Sequence, residues 1–112
     1  MNQDFEIVRG NDLRVTTEVR DNFGDPVDLS AAVDVTWQVR QRAGLPLVLE
    51  KRLANGDFVF PTANSLLFDI TNTESAALSG ARYVHELQVT TAGGLIYSVL
   101  QGRIRVIPNI VE

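Results

Sequence analysis

Residues 78 to 90 read LSGARYVHELQVT, and this run decides the fold because a strict alternation starts at its tyrosine. Tyr83, His85, Leu87 and Val89 fall on one side of an extended chain, while Val84, Glu86, Gln88 and Thr90 fall on the other. A period of two is the signature of a half-buried strand. Just upstream, Thr71-x-x-Glu74 fits a helix capping box. NTESAAL is long enough for one or two helical turns, with Ala76, Ala77 and Leu78 available to seal an end of a core. Gly80 is expected to close that helix, so that Tyr83 opens the next strand.

The same period recurs outward from this point. In LRVTTEVR, residues 13 to 20, Leu13, Val15, Thr17 and Val19 face one way. In VDVTWQVR, residues 33 to 40, Val33, Val35, Trp37 and Val39 do the same. Between them DNFGDPVDLS reads as a turn, because Gly24 tolerates a positive φ and Pro26 pushes Asp25 toward extended geometry. LPLVLEKRL, residues 45 to 53, runs to Asn55-Gly56, a dipeptide favoured in tight hairpins, so Phe58 to Phe60 are expected to return along it. SLLFDIT at 65 to 71 places Leu66, Phe68 and Ile70 together. TAGG at 91 to 94 predicts a hairpin into a last strand from about Leu95 to Ile107, with Ile96, Leu100, Ile104 and Val106 on one parity, and Pro108 ends its pairing.

Strands near 5–9, 13–20, 33–40, 46–53, 65–71, 82–91 and 95–107 make about seven. That number predicts an all-β, immunoglobulin-like β-sandwich of antiparallel strands with one short helical crossover. Its two landmarks are present: Trp37 in the third strand as the central packing residue, and Tyr83 opening the sixth as a tyrosine corner whose hydroxyl turns back to the backbone. No repeat or linker interrupts the 112 residues, so residues 1–112 are expected to form one domain, with only the tails MNQD and NIVE outside it.

Composition narrows the function. A hydrophobic fraction of 45% with 21% charged residues is ordinary for a globular domain. Ten Lys and Arg against fourteen Asp and Glu give a net charge of −4, which supplies no global field for phosphates, so nucleic acid is not an expected partner. The absence of Cys removes disulfides, thiolate nucleophiles and Cys-based zinc sites. The start lacks the basic-then-apolar pattern of a signal peptide, and no apolar run reaches the roughly 18 residues a membrane helix needs, so the expectation is a chain made in the cytoplasm with no membrane partner.

The residues offer little chemistry. His85 is the only histidine and lies on the apolar parity of its strand, where it reads as a packed or sheet-edge side chain with one hydrogen bond satisfied. No Gly-x-Ser-x-Gly elbow accompanies it, and the common multi-histidine metal sites need more than one His. Gly93-Gly94 lies between strands and is a hairpin turn, not a phosphate cradle. Asp21, Asp25 and Asp28 share one turn and are the candidate calcium ligands. Their spacing matches no EF-hand loop, and turn aspartates ordinarily cap local amides. No cofactor is expected, and the chain reads as a non-enzyme.

Arg14, Arg20, Arg40, Arg103 and Arg105 all take outward parity, where ion pairs with Glu18, Asp34 and Glu86 would make a solvated face. In the last strand Tyr97, Val99, Arg103 and Arg105 share that parity and are the candidate protein interface.

The order of the pieces IVRGNDLRVTTEV, DNFGDPVDLSAAVDVTWQVR, LSGARYVHELQV and SVLQGRIRVIP resembles the small immunoglobulin-like domains of phage tails, especially the amino-terminal domain of the phage baseplate upper protein family. The resembling segments are Gly10-Asn11-Asp12, Gly24 to Leu29, Gly80 to Leu87 with one extra residue between Gly and Tyr, and Gly102 to Pro108. The resemblance implies a virion structural protein of the tail or baseplate, present in many copies or as a homo-oligomer. It would be made in the host bacterial cytoplasm and dock to other virion proteins. Proteins of that family continue into long carboxy-terminal regions whereas this sequence stops after PNIVE, so a capsid cement or decoration protein, or a head-to-tail connector, is the alternative. Strand addition by the terminal arms is one expected mode of docking. A carbohydrate-binding or adhesion module is the second alternative, for which Phe23, Tyr97 and one of Phe58 or Phe60 are the aromatics left exposed.

Overall fold

The computed structural model describes residues 4–20 and 23–108, with the backbone alone at Ala31 and Val99. Its strands are β1 (Phe5–Val8), β2 (Leu13–Glu18), β3 (Ala32–Arg40), β4 (Leu47–Arg52), β5 (Val59–Thr62), β6 (Ser65–Ile70), β7 (Arg82–Thr91) and β8 (Ile96–Ile107). They form two sheets: five strands in the order β1-β8-β7-β3-β4, and three in the order β2-β6-β5. The fold is the expected all-β immunoglobulin-like sandwich, with one short strand more than the count of seven. Among the described residues, one pair is parallel, joining β1 to β8.

The inward parities of the two sheets meet in one core. Trp37 lies under Phe68 of the opposite sheet, their ring centroids 4.5 Å apart, and Phe58 meets Phe68 edge-on at 5.6 Å. Ile7, Val15, Val19, Leu29, Val35, Val39, Leu66, Ile70, Leu78, Tyr83, Leu87, Val89, Leu100, Ile104 and Val106 are buried with them. Removing a ring such as that of Trp37 from a core like this costs about 3–5 kcal/mol.

The crossover between the sheets is the helix α1 (Asn72–Ala76), and its capping box forms: the Thr71 hydroxyl accepts from the Glu74 amide while the Glu74 carboxylate accepts from the Thr71 amide. Ser75 and Leu78 seal the core end; Ala76 and Ala77 stay exposed. Gly80 does not close this helix, which ends at Ala77. Its amide instead donates to the Tyr83 hydroxyl at 2.7 Å, completing the tyrosine corner. A Cβ on Gly80 would lie 3.0 Å from that oxygen and 3.2 Å from the Gln41 side-chain nitrogen, so any larger residue there makes one of these neighbours give way by a few tenths of an ångström.

Three expectations fail for identifiable reasons. Asn55-Gly56 does not make a hairpin: residues 53–55 form a 3₁₀ turn closed by left-handed Gly56, and the chain changes sheets so that β5 pairs with β6 instead of β4. A bulge between Ala32 and Asp34 turns Val33 outward, 61% exposed. A second register shift, where Leu87 pairs Leu100 but Gln88 pairs Ser98, inverts the parity at the start of β8. Ile96 is thereby 62% exposed, while Tyr97 packs against the core. The hairpin at residues 91–94 forms as expected, with Gly94 at φ 82.

Candidate protein-contact surface

The buried polar groups are all partnered: among the described residues no buried side-chain nitrogen or oxygen lacks a hydrogen bond. His85 is the clearest example. It is buried, its Nδ1 accepts from Trp37 Nε1 at 3.1 Å, and Phe5 lies against its ring at 4.9 Å. That geometry makes it a packing partner of the core tryptophan.

Lys51 takes the inward parity of β4, an expensive place for an ammonium. Its side chain is only 9% exposed, and Nζ bonds both Glu74 oxygens at 2.6 and 2.7 Å. Burial alone would raise the Glu74 pKa, but Lys51 together with the Thr71 amide and hydroxyl holds it below the ordinary glutamate value. The pair ties β4 of the larger sheet to the crossover helix.

The turn aspartates are divided. Asp28 accepts from the Ser30 hydroxyl at 2.7 Å and the Ser30 amide at 3.0 Å, and both bonds lower its pKa. Asp25 is exposed, and Asp21 lies outside the described residues. No group of three or more His, Asp or Glu placed to hold a metal occurs among the described residues.

The outer face of the larger sheet carries a polar layer. Glu86 accepts from Gln88, Ser98 and Gln101. Glu50 accepts from Arg52 and Gln38, bonds that lower its pKa. These residues flank a shallow groove of about 720 Å³ whose lining includes Gln38, Arg40, Glu86, Gln101 and Arg103 and no Phe, Tyr or Trp. The arginine pairings differ from those expected. Arg20 does meet Glu18, but Arg14 meets Asp69 and Arg105 meets Glu6, and these exposed pairs contribute little to stability.

Of the four interface candidates in β8, the structure keeps Arg103 and Arg105 on the outer face and removes Tyr97, which turns half inward. The Val99 side chain lies outside what is described. Sequence parity missed two features. One is Arg82, paired directly across from Arg105 on the same face. The other is the exposed apolar content of the edge strands: Leu47 and Val48 on β4, and Val59 and Phe60 on β5. Together with Val33, Leu95, Ile96 and the 90% exposed Phe23, they leave much apolar surface outside the core. The LPLV run at 45–48 carried that signal, because four apolar residues in a row cannot all face inward from a strand.

No family model matches the chain, and no curated protein matches it. Among solved structures it is similar to the SrpA adhesin of Streptococcus sanguinis, with a TM-score of 0.54 and 13% identity over 94% of this chain and 55% of that one. It is also similar to CopC from Methylosinus trichosporium, with a TM-score of 0.43 and 18% identity over 70% of this chain and 66% of that one. The chain thus spans less than two thirds of the length of either neighbour. At such identity, what it shares with the adhesin is the β-sandwich fold.

Proposed function

We propose that this chain is a non-enzymatic structural module of a bacteriophage particle, a tail or baseplate component that works by protein contact. The observation that supports the reading best is the pair of apolar edges, Leu47 and Val48 on β4 with Val59 and Phe60 on β5. An edge strand presents unpaired amides and carbonyls, and exposed apolar side chains beside them favour a neighbouring strand or arm over water. The sequence resemblance to the baseplate upper protein domain supplies the particle. A capsid decoration or connector role would use the same edges. The terminal arms that were expected to add such strands fall largely in residues 1–3 and 109–112, outside the described residues.

Glycan binding is the second reading, favoured by the amide and carboxylate groups that line the outer groove and by the likeness to an adhesin. It ranks second because no Phe, Tyr or Trp lines that groove to stack on a sugar, and its one imidazole, His85, is buried against Trp37 and Phe5.

Affinity capture of the tagged chain from lysate of its producing cells tests both. Recovery of capsid, tail or baseplate proteins fits the leading reading. Retention of envelope polysaccharide without any virion protein overturns it in favour of the second.

A further inference from the structure

Although the chain carries a net charge of −4, four of its ten basic residues gather at one end of the outer face. Arg82 pairs across the sheet with Arg105, Val84 with Arg103, and Val84 on its other side with Arg40. Directly paired residues project from the same face about 5 Å apart, so Arg82 and Arg105 set like charges opposite each other, which is normally avoided. The local carboxylates lower the net charge of this end, yet none of them pairs with Arg82 or with the Arg103 guanidinium. Asp4 is held by the Arg103 backbone amide at 2.8 Å, Glu6 reaches only Arg105 at 3.3 Å, and Glu86 is bonded to Gln88, Ser98 and Gln101. Arg40 bonds the Leu45 carbonyl and Gln38. Among the described residues, the guanidinium groups of Arg82 and Arg103 have no hydrogen-bond or ion-pair partner, and both line the groove beside β1.

We infer that this arginine-rich end, built on Arg82, Arg103 and Arg105 with Arg40 beside them, is a docking surface for a carboxylate-bearing segment of a neighbouring protein. The inference rests on the reading of the chain as a protein-contact module and names the surface and the chemistry of its partner. A planar guanidinium fork matches a carboxylate with two parallel hydrogen bonds, and unpaired forks side by side match a peptide with acidic residues at alternate positions. A polyphosphate fits poorly, because the patch is interleaved with Asp4, Glu6 and Glu86 and the chain as a whole repels a long anion.

The purified chain decides this by calorimetric titration with a short peptide alternating Glu and Ser, the matching Lys-Ser peptide and a thymidine oligonucleotide, at low and high salt. The account expects the acidic peptide alone to bind, with affinity falling at high salt and falling at least about tenfold in the Arg82→Glu/Arg103→Glu double variant. Arg14→Gln on the other sheet should leave it unchanged. Arg82→Glu by itself removes the like-charge pair, so it is expected to raise Tm by about 1–4 °C while weakening binding, which separates lost docking from lost folding. No binding of the acidic peptide, equal binding by wild type and double variant, or tighter binding of the oligonucleotide would each overturn the inference. Because only purified components are used, such a failure is distinct from a failure of the chain to associate with particles.

Discussion

Trp37 donates its indole N–H to Nδ1 of His85 at 3.1 Å inside the core, while Phe68 of the opposite sheet lies on the indole. The bond fixes which histidine nitrogen accepts, and it explains how two polar ring nitrogens coexist with a close-packed apolar interior. His85→Leu keeps the volume but strands the indole N–H, and is expected to destabilise the fold by about 1–3 kcal/mol. His85→Gln, whose carbonyl oxygen still accepts, should cost less. Urea unfolding followed by Trp37 fluorescence measures both.

The tyrosine corner makes a coupled prediction. Tyr83→Phe removes the acceptor of the Gly80 amide and should cost about 1 kcal/mol. Gly80→Ala pushes a methyl to 3.0 Å from the same oxygen and should disturb the same bond. The two losses are therefore expected to be less than additive in the double variant, as a double-mutant cycle on denaturation midpoints would show. Full additivity would mean that Gly80 serves some other purpose.

The Lys51–Glu74 pair should dominate the acid sensitivity. The Glu74 pKa is lower folded than unfolded, so its stabilisation is fully present above the ordinary glutamate value of 4.5 and is lost as pH falls through the folded value. Asp69, lowered by its bond from Arg14, adds in the same direction below the ordinary aspartate value of 3.8. Glu74→Gln leaves a nearly buried ammonium without its counter-charge and is expected to cost about 2–3 kcal/mol at neutral pH. It should also flatten the loss of Tm between roughly pH 5 and pH 3, as a series of thermal melts would show.

The contact surface predicts a separation of folding from assembly. Leu47→Lys or Val48→Lys adds a charge to an exposed position of edge strand β4 and should leave Tm within a few degrees of wild type. Under the proposed particle role, wild type should co-sediment with particles and the same variants should not.

Much of this architecture was legible in the residues. Alternation placed β2, β3, β6 and β7 because each is buried on one face, and Thr71 with Glu74 announced the crossover helix. What alternation could not register was a change of parity within a strand. The bulges at Val33 and in β8 arise from pairing with neighbours far along the chain, so Ile96 and Tyr97 exchanged faces with no local mark. Asn55-Gly56 misled for a related reason: the left-handed residue it supplies suits a 3₁₀ exit as well as a hairpin, and tertiary packing chose between them. At the contact surface Arg103 and Arg105 were visible by parity, whereas their juxtaposition with Arg82 and Arg40 required the register of three strands. The Lys51–Glu74 pair was hidden too, since an inward lysine 23 residues from its partner leaves no sequence pattern.

The central claim is that this domain is a fixed component of a particle. Density-gradient purification of particles from producing cells, with this chain quantified by mass spectrometry against the major capsid protein, tests it most directly. The account predicts that the chain bands with the particles at a constant ratio through successive purifications. Its complete retention in the soluble fraction, with none in the particle band, would contradict it.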